Sequence, residues 1–133
     1  MTVFGAIGIA GTGLTVHRKW LDAISDNLAN ANNASATDET PFRARYVIAS
    51  AMSYGSPAGV QVSGVELGSA EGRLVYEPTH PLADDGGYVR YPDVDTGSQM
   101  TQLIMAQRAY QANAAVIDRA RETYTTAIQI GRQ

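Results

Sequence analysis

The sequence predicts a mostly α-helical protein with a β insertion. A helix at each end of the chain pairs with the other as an antiparallel, coiled-coil-like bundle, and a small antiparallel β region lies between them. Three observations carry that expectation. Apolar residues near the N terminus recur at alternating intervals of three and four. Near the C terminus, Leu103, Tyr110, Ile117 and Tyr124 recur at a strict interval of seven. Between them the period drops to two, in short segments separated by Gly, Pro and Asp. A chain of 133 residues has room for one core rather than two, so residues 1–35 and 96–133 are expected to form one discontinuous helical domain and 36–95 an outer β-rich insertion.

The first helix is read from Ile7, Ala10, Leu14, His17, Leu21, Ile24, Leu28 and Ala31, one side of a helix with His17 its only polar member. It is expected to end near residue 31, where Asn30, Asn32 and Asn33 offer side chains that bond the local backbone. The last helix is placed over about 97–130, with Ala106, Asn113, Ala120 and Ala127 at the intervening seam positions. A reciprocal cap between Thr96 and Gln99 would start it, and a left-handed Gly131 would end it.

The intramolecular seam is therefore assigned to Leu14, Leu21, Ile24 and Leu28 on one helix and to Leu103, Tyr110, Ile117 and Tyr124 on the other. The last helix carries a second stripe, Met105, Ala109, Ala112 and Val116, with the same spacing but rotated away from the Leu103 row. A two-helix pair covers one stripe and leaves the other wet, so the second is the candidate inter-subunit surface.

In the centre, Phe42, Ala44, Tyr46 and Ile48 alternate with Arg43, Arg45 and Val47. Val60 and Val62 continue a strand pattern that Val65 and Leu67 resume out of phase, so a bulge is expected at Gly64. Leu74 to Tyr76 and Tyr88 to Tyr91 are two further strands, joined through Glu77 to Gly87.

Composition excludes several functions. The net charge of -3 gives no footprint for nucleic acid. That charge is partitioned: residues 1–35 sum to zero, 36–95 to -5 and 96–133 to +2. The absence of cysteine removes disulfides, thiol nucleophiles and thiolate metal sites. His17 and His80 lack companions at ligand spacing, so no metal is expected. Asp93 and Asp95 do not continue into a calcium loop, since the twelfth residue from Asp93 is Ile104. Gly5, Gly8, Gly11 and Gly13 follow no strand and lack the lysine of a phosphate loop, so close helix approach is the better account. No acid, base and nucleophile converge; neither catalysis nor a cofactor is expected. The apolar opening stretch has no basic residue before Arg18 and is too short to span a bilayer, so no cleaved signal peptide is expected.

Two motifs carry a resemblance. Ser25-Asp26-Asn27-Leu28-Ala29-Asn30-Ala31 closes the first helix, and Arg108-Ala109-Tyr110-Gln111-Ala112-Asn113 lies in the last. Together they resemble the bacterial flagellar rod, hook and hook-associated axial proteins, with Asn27, Leu28, Asn30, Arg108, Tyr110 and Asn113 as the family motif. Leu74 to Asp84 and Gly87 to Asp95 are similar to segments of the proximal-rod branch of that family. The resemblance implies a non-catalytic subunit of the flagellar basal body, in the rod and the periplasmic space. It implies export without cleavage by the flagellar type III apparatus, and helix packing into a tubular structure that transmits torque. The implied partners are other copies of the chain, other rod proteins and the export apparatus, with the MS ring as a further candidate. The segments 34–40 and 53–59 match nothing in the family. A closed-oligomer coiled-coil adaptor is the competing reading from the seams alone.

Overall fold

The computed structural model describes residues 2–53 and 58–132. Tyr54 to Pro57, most of the unassigned 53–59 segment, lie outside the described residues. The order of elements is α1 (Val3–Asn30), β1 (Arg45–Ala51), β2 (Val60–Leu67), β3 (Arg73–Tyr76), β4 (Tyr88–Tyr91) and α2 (Thr96–Ile130). The chain is mostly helical with a β insertion, as the periodicities predict.

The ends of α1 follow from local hydrogen bonding. The Gly5 amide donates to Thr2 Oγ1 at 3.1 Å, satisfying a first-turn N–H. At the other end, Asn30 Nδ2 donates to the Asp26 carbonyl at 2.8 Å, and the chain leaves the helix through the asparagines expected to stop it. The start of α2 corrects the sequence reading. Asp95, one residue earlier than the expected cap, accepts the Ser98 amide at 3.1 Å on Oδ2 and the Gln99 amide at 3.0 Å on its carbonyl. A carboxylate is the stronger acceptor for orphan amides at the positive end of a helix, so it displaces Thr96 from that role. The end of α2 needs a correction too. Among the described residues positive φ occurs at Gly72 and Gly87 and not at Gly131, whose amide still bonds Ala127 O at 3.1 Å in helical fashion.

By proximity the chain divides into two compact units. The first comprises Met1–Leu21, Ile48–Gly64 and Ile104–Gln133. There the helices run antiparallel: Gly13 faces Asn113, and the Phe4 and Tyr124 rings meet edge to face with centroids 5.2 Å apart. Thr12 Oγ1 accepts the Val60 amide at 3.1 Å, tying the start of β2 to α1.

The second unit comprises Asp22–Val47 and Val65–Leu103. Ala31, Ala44 and Val94 form its buried cluster. The antiparallel β3–β4 pair aligns Arg73 with Tyr91, Leu74 with Arg90, Val75 with Val89 and Tyr76 with Tyr88. Ser35 bridges to Arg90, whose guanidinium donates to the carbonyls of Thr37 and Glu71 and so holds the loop after α1 on the hairpin. Gly72 turns the chain into β3 at φ 63°; a Cβ there would lie 2.3 Å from Tyr91 O, so no side chain fits. Tyr91 donates its hydroxyl to Glu77 Oε2 at 3.1 Å, and this bond is the main reason its pKa is raised.

The β region differs from expectation in two respects. It forms two separate two-stranded sheets, β1–β2 and β3–β4, rather than one. The first strand begins at Arg45 rather than Phe42; the Asn27 side chain bonds both the amide and the carbonyl of Arg45 and so anchors its start to α1.

Candidate assembly interface

The buried residues of the two helices are mainly small or polar, with Ile24 the one large apolar exception. On α1, Ala10, Gly13, Val16, Ala23, Ile24 and Asn27 are buried. On α2, Gln99 and Ala106 are buried, and Asn113 and Ala120 are half-buried. Glycine and alanine let backbones approach, which fills a close contact with main chain instead of branched side chains. A Cβ at Gly13 would sit 2.6 Å from Asn113 Oδ1, so the absent side chain makes room for the asparagine amide. That amide donates in turn to Ala109 O at 2.8 Å.

Asn27 is fully buried, and every polar atom of its side chain is used. Nδ2 donates to Arg45 O at 2.9 Å and to Gln99 Oε1 at 3.0 Å, while Oδ1 accepts the Arg45 amide at 2.8 Å. Within the second unit, one side chain thereby joins α1, α2 and the start of β1. Buried amides of this kind specify register, since any slip leaves them unpaired.

The residues assigned to the intramolecular seam lie as follows. Ile24 is buried; Leu14, Leu21, Leu28, Leu103 and Ile117 are half-buried; Tyr110 and Tyr124 are on the exposed side of the boundary. Of the second stripe, Met105, Ala112 and Val116 are exposed and Ala109 is half-buried. In the family motif, Asn27 joins Gln99, Asn113 meets Gly13, Asn30 closes α1, and Arg108 is exposed. Gln99 is the residue that the seam reading missed. It falls seven positions before Ala106 in the row of Ala106, Asn113, Ala120 and Ala127, so extending that row by one heptad finds it.

His17 Nδ1 lies 2.7 Å from Gly13 O in its own helix, and His80 Nδ1 accepts the Leu82 amide at 3.1 Å, so both rings serve local bonds. Asp84 Oδ1 accepts the amides of Tyr88 and Gly86, each at 2.9 Å. The Tyr88 bond is the main cause of the lowered pKa of that carboxyl, which orders the loop before β4. Among the described residues, no three His, Cys, Asp or Glu side chains are grouped to hold a metal, and no helix is long and apolar enough to cross a membrane.

Inward small residues and outward large ones define a structural subunit that packs against other protein. Comparison with known proteins gives this class a place. Residues 85–130 match the family described as the flagellar basal body rod FlgEFG protein C-terminal. Over 134 residues the chain is 35% identical to the flagellar basal-body rod protein FlgC of Escherichia coli O6:H1, an alignment covering 99% of this chain and 100% of that protein. It is likewise 35% identical to FlgC of Salmonella typhimurium, with the same coverage, and 31% identical over 150 residues to FlgC of Bacillus subtilis, covering 99% and 100%. The chain belongs to the FlgC family of flagellar basal-body rod proteins. It is a structural subunit of the rod, and the names of its relatives denote a component of an assembly rather than a reaction.

Proposed function

We propose that the chain builds the proximal rod by helix packing on two surfaces. The Leu14/Leu21/Ile24/Leu28 row against Leu103/Tyr110/Ile117/Tyr124 is the intramolecular seam, and Met105, Ala109, Ala112 and Val116 contact adjacent subunits. In this reading the helical ends 1–35 and 96–133 form the axial part and 36–95 the outer part. The subunit performs no catalysis. It crosses the inner membrane uncleaved through the flagellar type III apparatus and assembles in the periplasmic space with copies of itself and other rod proteins, the MS ring being a candidate neighbour at the base.

The exposed apolar stripe on α2 carries the reading, because an isolated subunit gains nothing by leaving Met105 and Val116 wet. The rod named in the relatives' descriptions supports an open helical array over a closed oligomer, since a head-to-tail contact that does not close propagates. Ala112→Glu tests it by placing a charge in the stripe at a position exposed in the single chain. Helical content and unfolding are expected to match the parent while rod assembly and motility are lost. Normal motility in the variant overturns the assignment.

A further inference from the structure

The geometry points to a specific counterpart for the α2 stripe: the outward face of the β3–β4 hairpin of a second copy. This inference rests on the assembly reading and names the other half of the contact. In the antiparallel register, Leu74, Tyr76 and Tyr88 share one face, opposite to that of the fully buried Val89. That face is uncovered: Leu74 is 56%, Tyr76 63% and Tyr88 43% exposed, and the two tyrosine rings stack edge to face at 5.3 Å. The fourth residue of the face, Arg90, spends its guanidinium on main-chain carbonyls. Beside the face are Glu71, whose carbonyl accepts from Arg90, and Asp84, whose carboxylate accepts the Tyr88 amide, with Asp85 next in sequence; all three are exposed and without an ion pair among the described residues.

The α2 stripe has the opposite character. Met105 and Val116 are 56% and 46% exposed. Arg108 and Arg119 each follow one of them by three residues, so helical periodicity puts both arginines along the edge of the stripe away from the buried Ala106 row; Arg119 is ion-paired with Glu122 at 3.1 Å, whereas Arg108 has no ion pair among the described residues. From Met105 to Val116 the stripe spans about 16 Å at 1.5 Å per residue. The four paired positions of the hairpin, three steps of 3.4 Å, extend about 10 Å and so cover part of the stripe. Two exposed apolar strips, one edged by the unpaired Arg108 and the other by carboxylates, fit each other better than either fits a copy of itself. Like would otherwise face like across both rims. Because the two surfaces differ, their contact is heterologous and leaves one of each free on every added subunit.

The chain has no cysteine, so introduced thiols report the contact directly. Cells producing Tyr76→Cys and Ala112→Cys chains together are oxidised, and basal bodies are isolated. The expected product is a disulfide between the two variants, about tenfold more abundant than with Gln61→Cys in place of Tyr76→Cys. Reversing one rim, by Arg108→Glu with Arg119→Glu or by Glu71→Arg with Asp85→Arg, is expected to lower that yield about tenfold, the scale of misplaced interfacial charge. Reversing one rim in each of the two partner chains restores it. Adducts between two Ala112→Cys chains in place of the mixed adduct refute the hairpin as counterpart while leaving the stripe an interface. Mixed adducts no more abundant than the Gln61→Cys control, in rods that assemble, also refute it. Motility unaffected by Ala112→Glu removes the underlying assembly reading instead.

Discussion

Replacing Asn27 by alanine removes three hydrogen bonds at the point where α1, α2 and the entry to β1 meet. The consequences differ for the two partners. Arg45 is exposed, so water reaches its freed amide and carbonyl, and each loses only the net worth of a bond, about 1 kcal/mol. Gln99 is 2% exposed, so its Oε1 stays unpaired and adds about 1 to 3 kcal/mol. The total of about 3 to 5 kcal/mol is a large part of the roughly 5 to 15 kcal/mol that holds a domain together. With a urea m-value of about 2 kcal/mol per M, the midpoint is expected to fall by about 1.5 to 2.5 M, read by far-UV circular dichroism of the full chain. Gln99→Met added to Asn27→Ala removes the orphaned acceptor and is expected to recover about 1 to 3 kcal/mol. An Asn27→Ala variant within about 0.5 kcal/mol of the parent, the range of an ordinary surface change, refutes the account. A further loss on adding Gln99→Met does so as well.

Three other perturbations follow from local geometry. Gly13→Ala gains about 1 kcal/mol of helix propensity but forces the Asn113 amide off Ala109 O, an overpacking cost of about 1 to 3 kcal/mol; it should destabilise alone and stabilise in an Asn113→Ala background, measured as a double-mutant cycle. Gly72→Ala combines a left-handed φ with a Cβ 2.3 Å from the Tyr91 carbonyl, which cannot swing away, and should cost about 2 to 4 kcal/mol in thermal unfolding. The folded pKa of Asp84 lies below its ordinary value of 3.8, so the stabilisation it gives is complete above that value and is lost as the pH falls beneath it. The Tyr88 amide resonance should accordingly titrate below 3.8, and a midpoint at or above that value contradicts the hydrogen-bond account.

Sequence periodicity reveals the end of α1 and both ends of α2 to within about a residue, because a long amphipathic pattern is the strongest local signal a chain carries. It is a poorer guide to which residues touch. Leu14, Leu21 and Tyr110 draw the eye as large apolar groups, yet Gly13 and Ala106 lie deeper in the helix contact. Hydrophobicity ranks side chains by what they bury, whereas close packing of two backbones selects residues with little to bury. The β region was legible as strands but not as two sheets. Pairing is non-local, and the residue that anchors the start of β1, Asn27, is 18 positions away on a helix. The cap at Asp95 was missed for a local reason: Thr96 and Gln99 satisfy a sequence pattern, but the stronger acceptor stands one place before it.

The distribution of side chains by size bears on how such a subunit is held together. Its buried apolar residues are mainly alanine and valine, with Ile24 the largest fully buried side chain. Outside are Phe4, Leu74, Tyr76, Ile104, Met105 and Ile130, all at least half exposed. Each such side chain is worth about 1.5 to 3 kcal/mol when fully buried, so part of the hydrophobic free energy available to this chain is not realised within one copy. The β1–β2 ribbon points the same way, since Ile48, Val65 and Leu67 are exposed on strands that a two-stranded sheet alone holds only marginally. Folding of the single chain therefore supplies register, through Asn27, Gln99 and the Gly13–Asn113 contact, while association supplies burial. That division suits the proposed assembly: the polar pins hold the subunit's shape at little apolar cost, and the exposed strips are left for a complementary neighbour.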